Sequence, residues 1–255
     1  MHLFRFSRLN YFLLAIALTA CAGGMHIASV QTSYLELNST STNEDSTAIK
    51  IIQPYKTVVD KEMSEVLITS SQPLAKGDPE GALGDFVADL ILKQGNSKYN
   101  PTDNLKADFC VLNNGGLRNA LPKGEITKGH VFELMPFENE IVVVTMTGKK
   151  IKELFDFIAA KGGMPVSGLK LGIKDKVCTK AEVNGAAFDE NKNYKLITSD
   201  YLASGGDKMI FFKEAISIQS LNYKLRDAII DYMKAENKKG NTITVNTDGR
   251  IYYDK

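Results

Sequence analysis

The chain has 255 residues, 44% of them hydrophobic, with 31 basic and 30 acidic side chains and a formal net charge of +1. Lys and Glu interleave along most segments, so no basic stripe offers a footprint for nucleic acid, which is excluded as an expected partner. The length suits one large core behind a leader, with no internal repeat.

Arg5 and Arg8 precede an apolar run at residues 11–20, "YFLLAIALTA", which is too short to span a bilayer and reads as an export leader. It ends in "LTAC", similar to a bacterial lipobox, which makes Cys21 the lipidated first residue of the mature chain; an ordinary secretory signal cleaved nearby is the alternative. Residues 1–21 are therefore assigned to a lipoprotein signal peptide, and the protein is expected outside the cytoplasm, anchored by lipid to a bacterial membrane on its periplasmic or outer side. Residues 22–50, with "LNSTSTNEDST", lack an apolar period and read as a flexible tether. The folded domain is expected over 51–255.

The domain opens with a short helical stretch and the strand-like "VLITS". Helical periods recur at 81–94, 127–134, 147–160 and 221–236. In the third, Thr147 suits an N-cap, Ile151, Leu154, Phe155 and Ile158 form an apolar stripe, and "KGG" supplies the stop. Strand-like runs lie at 109–112, 141–146, 169–173, 194–198 and 242–245. The "NG" of "AEVNGAAF" marks a hairpin, and the "DG" of "NTDGRIYY" is a second candidate. Together these give an α+β domain, a mixed β-sheet with packed helices. Cys110, inside "ADFCVLN", reads as a buried free thiol, and a pairing of Cys110 with Cys178 is permitted in an oxidising compartment but not required.

Two glycine pairs stand out, in "NNGGLRNALPKGEIT" (113–127) and "ITSDYLASGGDKM" (197–209), with "LMPFENEIVVVTMTG" between them. Each follows a β-prone run and precedes a charged side chain, Arg118 or Asp207, as a loop does when its backbone closes on a ligand. A catalytic triad of Ser204, His130 and Asp207 is disfavoured because no G-x-S-x-G elbow surrounds Ser204. The "GGD" lacks the Glu and Phe that complete the nucleotide cyclase pattern.

These blocks, in order, with "EGALGDFVADLIL" (80–92) ahead of them, resemble the C-terminal domain of the 5′-nucleotidase and UDP-sugar hydrolase family. The resemblance covers about residues 51–255 and implies a substrate-recognition domain in nucleotide catabolism. It assigns Asn113 to the base or nearby ligand atoms, Gly115 and Gly116 to close backbone approach, and Arg118 to the ribose and phosphate side. Phe137 and Tyr201 would stack on the two faces of the base, Asn139 would order the turn, and Asp207, after Gly206, would accept from the ribose hydroxyls. Glu138 stands where the family usually has glycine, Gly77 where it often has arginine, and Lys208 where it has a further glycine.

The family's dinuclear metallophosphatase motifs are not found in these residues, whose three histidines leave only His130 in the domain, where it is expected to cap or pack against a helix. No catalytic residue or metal ligand is therefore assigned. The expectation is a recognition component of a 5′-nucleotidase-type hydrolase, without cofactor of its own and inactive alone. It would work with a separately encoded metallophosphatase that carries two divalent metals. The alternative is a lipoprotein that binds nucleosides or nucleotides without hydrolysing them.

Overall fold

The computed structural model describes residues 27–35 and 45–254; the expected signal peptide with Cys21 lies outside them. The chain divides into two compact units, Met1–Ile51 and Ile52–Lys255. In the first, residues 27–35 are irregular and exposed, and helix α1 (Ser46–Met63) begins within the stretch read as tether. Asp45 explains that start: its Oδ1 accepts from Thr47 N at 2.8 Å and Ala48 N at 3.2 Å, satisfying two of the amides that a helix leaves orphaned.

The second unit is α+β. Strand β1 (Val66–Ser70), helix α2 (Ala82–Lys98), β2 (Phe109–Val111), β3 (Gly124–Thr127), α3 (Lys128–Leu134), β4 (Glu140–Thr147) and α4 (Gly148–Ala160) make its first half. Strands β5 (Val166–Ser167), β6 (Leu169–Lys174), β7 (Val177–Val183), β8 (Ala186–Ala187) and β9 (Asn193–Ser199) follow. Then come α5 (Asp200–Ala203), two 3₁₀ turns, β10 (Ser217–Lys224), α6 (Leu225–Lys238) and β11 (Ile251–Tyr253). The central sheet runs β10-β4-β9-β2-β5, beside a four-stranded sheet β11-β6-β7-β8 and the pair β1-β3.

Alternation along the central strands builds a core on each face, because successive side chains point to opposite sides. Ile141 and Val143 of β4, Ile197 of β9 and Cys110 of β2 join one cluster, with Phe86, Val87 and Ile91 of α2 and Ile229 and Met233 of α6. Val142, Val144 and Met146, Leu196, and Phe109 and Val111 join the other, with Leu154, Phe155 and Ile158 of α4 and Phe212. A sheet covered on both faces reads as a continuous apolar run, which is why 141–146 is so marked in the sequence.

Three local expectations are corrected. Residues 221–224 are not helical: they end β10, an edge strand paired with β4, and the helix starts at Leu225. Residues 242–245 form no strand, since only Ile243 bridges, to Ser70. The "DG" at Asp248 and Gly249 makes no hairpin; Glu80 Oε1 accepts from Asp248 N at 2.7 Å, and the chain continues into β11, parallel to β6. The "NG" hairpin forms between β7 and β8, with Asn184 and Gly185 both at positive φ, as a two-residue I′ turn requires. Cys110 is a buried free thiol whose pKa burial pushes up, and Cys178 is free and half-buried.

Candidate functional site

Strand directions bring the marked loops to one place. β2 runs parallel to β9, and β4 antiparallel to it, so the C-terminal ends of β2 and β9 and the N-terminal end of β4 share one edge. From that edge emerge the 113–118 loop, the 136–139 turn and α5 with the "GGD" turn, the situation in which open sheets place ligands. Between them lies a cleft of about 290 Å³ lined by Asn113, Gly115, Gly116, Arg118, Phe137, Asn139, Tyr201 and Asp207. This is near the low end of the range for small-molecule sites, about 300–1,000 Å³.

Asn113 Nδ2 donates to Asp207 Oδ2 at 2.6 Å, and Tyr201 Oη donates to Oδ1 at 2.8 Å. Asp207 sits at φ 51°, left-handed backbone that is uncommon outside glycine, Asn and Asp and that gains from a neighbour's hold. Tyr201 supplies that hold, because its Oη also accepts from Asp207 N at 3.2 Å. Each carboxylate oxygen keeps a lone pair for a further donor.

The glycines act by what they leave empty. A Cβ on Gly116 would come within 2.8 Å of Asn113 Oδ1. Gly206, also expected in the site, does not line the cleft; it lies under Tyr201, and a Cβ there would meet the ring at 2.5 Å. At Gly77 a Cβ would be 2.0 Å from the Glu80 carbonyl, so the backbone there excludes a side chain and not merely an arginine.

Phe137 and Tyr201 are 42% and 43% exposed, and so are not core residues. Large aromatic faces left in water at a cleft are the unusual observation, since packing does not account for them. Arg118 Nη1 donates to Gly115 O at 3.2 Å, and among the described residues the guanidinium forms no ion pair, which leaves most of its donors to the cleft.

His130 and Ser204 stand apart from this chemistry. His130 Nδ1 accepts from Thr127 N at 3.1 Å while Thr127 Oγ1 accepts from His130 N, a capping box with histidine in the usual glutamate role. Ser204 Oγ donates to Tyr201 O at 2.8 Å. Among the described residues no three His, Cys, Asp or Glu side chains gather to hold a metal ion, so these residues do not fit a dinuclear centre.

Sequence reasoning missed the charges behind Phe137. Glu138 pairs with Lys224 and with Arg226, and these two cations hold its carboxyl down to about 2. Arg226 is only 6% exposed, and its Nη1 donates to the carbonyls of Met135 and Phe137, each at 3.4 Å. The sequence offered no signal for it: with a helix expected from residue 221, Arg226 falls inside the helical period, and only the observed start at Leu225 puts the cation in the first turn, against the macrodipole.

The second unit is thus an α+β domain whose aromatic and glycine loops gather around a cleft at one end of a mixed sheet. A family model described as "5′-nucleotidase, C-terminal domain" matches residues 63–214, more than half of the chain, and the protein belongs to that family. The trifunctional nucleotide phosphoesterase protein YfkN of Bacillus subtilis is 30% identical over 188 residues, covering 68% of this chain and 12% of that protein. Cell wall protein Lmo0130 of Listeria monocytogenes is 28% identical over 202 residues, 72% of this chain and 25% of its own length. The 5′-nucleotidase precursor structure from Thermus thermophilus shares the fold, with a TM-score of 0.68 at 24% identity, over 84% of this chain and 44% of that one. The chain thus spans less than half the length of each of these relatives.

Proposed function

We propose that this domain recognises a nucleotide or nucleoside for a 5′-nucleotidase-type phosphohydrolase. Phe137 and Tyr201 hold the two faces of the base, Asn113 meets the base or nearby ligand atoms, Asp207 receives the ribose hydroxyls, Asn139 orders the Phe137 turn, and Arg118 faces the ribose and phosphate side. The observation that carries this reading is the convergence of these side chains, with Gly115 and Gly116, on one cleft with two exposed aromatic faces.

Hydrolysis, in this reading, takes place at a dinuclear metal centre in a metallophosphatase unit outside the described residues. The domain contributes binding energy that orients the phosphate there. The leader and "LTAC" support export and lipid attachment through Cys21, and a relative named as a cell wall protein agrees with export.

Calorimetric titration with adenosine, AMP and UMP tests the recognition step. Binding that Phe137→Ala weakens by about 1–3 kcal/mol, the value of one base stack, is expected. No binding to any of the three refutes it. Phosphate release from AMP by the protein alone with added Mn²⁺ or Zn²⁺, at an enzyme-like rate, refutes the separate catalytic unit. Binding that no metallophosphatase converts to turnover leaves a non-hydrolytic binding protein.

A further inference from the structure

The turn that presents Phe137 is fastened to the start of α6, 88 residues further along the chain. Arg226 Nη1 reaches the carbonyls of Met135 and Phe137, and Nη2 pairs with Glu138 Oε1. Its guanidinium lies 4.2 Å from the centroid of the Phe132 ring. Lys224 holds the second Glu138 oxygen, and Leu225 N donates to Asn139 O at 3.0 Å. The backbone is therefore gripped on both sides of Phe137, a residue that is itself 42% exposed. Nothing described stacks on that ring, so its direction is inherited from the turn beneath it.

We propose that Arg226 is a positioning residue for base recognition: locked to the Met135 and Phe137 carbonyls and to the Glu138 carboxylate, it fixes the direction in which Phe137 faces the cleft. The inference rests on the nucleotide-recognition reading above. A planar fork is needed for the task. Lysine brings the same charge as a point and cannot bind two carbonyls and a carboxylate from one fixed plane. A cation in the first turn of a helix also works against the helix dipole, which a purely helix-building role does not explain.

The test uses the full chain with Arg226→Lys, with Glu138→Gln as a milder second variant and Phe137→Ala as the partner in a double-mutant cycle. Arg226→Lys is expected to weaken adenosine about tenfold, within the value of one base stack, and to leave the base-free probe ribose 5-phosphate unchanged. In the Phe137→Ala background the same change should add nothing, because coupled residues are non-additive. Equal losses for both probes, or additive losses, overturn the proposal in favour of a merely structural arginine.

Amide hydrogen exchange at 135–139 without ligand separates this from the parent reading. Faster exchange there in both Arg226→Lys and Glu138→Gln, with β4 unaffected, is expected, and unchanged exchange overturns the fastening. Faster exchange in a protein whose wild type binds no adenosine refutes nucleotide recognition, and with it the base-directed role, while the fastening stands.

Discussion

The Tyr201 hydroxyl and the Asp207 carboxylate hold one another: Oη donates to Oδ1 at 2.8 Å and accepts from the Asp207 amide at 3.2 Å. A phenylalanine in the same place keeps its stacking face but cannot make either bond. In the proposed nucleotide-recognition reading, the tyrosine therefore joins two tasks, offering a ring to the base and aiming a carboxylate at the sugar.

Tyr201→Phe is expected to keep base stacking and lose about 1 kcal/mol of ribose recognition, the net worth of one such hydrogen bond. Titration with adenosine and with 2′,3′-dideoxyadenosine checks it. The substitution should narrow the gap between the two ligands, and an unchanged gap would show that the hydroxyl plays no part in aiming Asp207.

Gly206→Ala is expected to abolish the slot without unfolding the domain. The new Cβ would lie 2.5 Å from the Tyr201 ring and 2.6 Å from the Tyr201 carbonyl oxygen, so the ring must swing and the local turn must shift with it, while no positive φ at residue 206 adds backbone strain. Calorimetry for adenosine together with a thermal melt tests this. Intact binding would mean that Tyr201 needs no fixed seat.

Asp85 gives a pH signature to stability. It is 2% exposed on α2, and burial first, then a hydrogen bond with Glu80, push its carboxyl up to about 8 against the pull of Arg250. A carboxyl with a folded pKa above its unfolded one, about 3.9, holds its proton more tightly when folded. Stability from this group is then greatest at acid pH and falls as pH rises from about 4 to about 8. Asp85→Asn should remove that slope and raise stability at pH 8 relative to wild type, as read from denaturant melts at pH 5 and pH 8. Parallel shifts at both pH values would contradict the assignment.

Much of this domain was legible because its strongest signals are local. The 147–160 helix carries its cap at Thr147 and its stripe within one stretch, and the 141–146 run announces a strand buried on both faces. The loops with Arg118, Phe137 and Asp207 were marked by glycine pairs and by aromatics in polar surroundings. What stayed hidden depends on distant pairing. Leu221 and Tyr223 follow a helical period with α6, yet β4 draws that stretch into the sheet. Arg226 and Glu138 carry no mutual signal in the sequence until the fold brings them together, because no spacing rule links positions so far apart.

Asn113 and Asp207 meet across 94 residues of sequence, with β4 and β9 formed from the chain between them. During synthesis, a chain that has released Asn113 therefore carries half a clamp and no pocket. Only when β9 has paired, α5 has turned and α6 has closed behind Phe137 does a binding surface exist. Such non-local assembly is the slow part of folding. A ligand that binds there stabilises the finished protein by mass action and does nothing for its unfinished forms. Occupancy of the cleft is thus a readout of complete folding, and a chain that stops before Asp207 forfeits that protection.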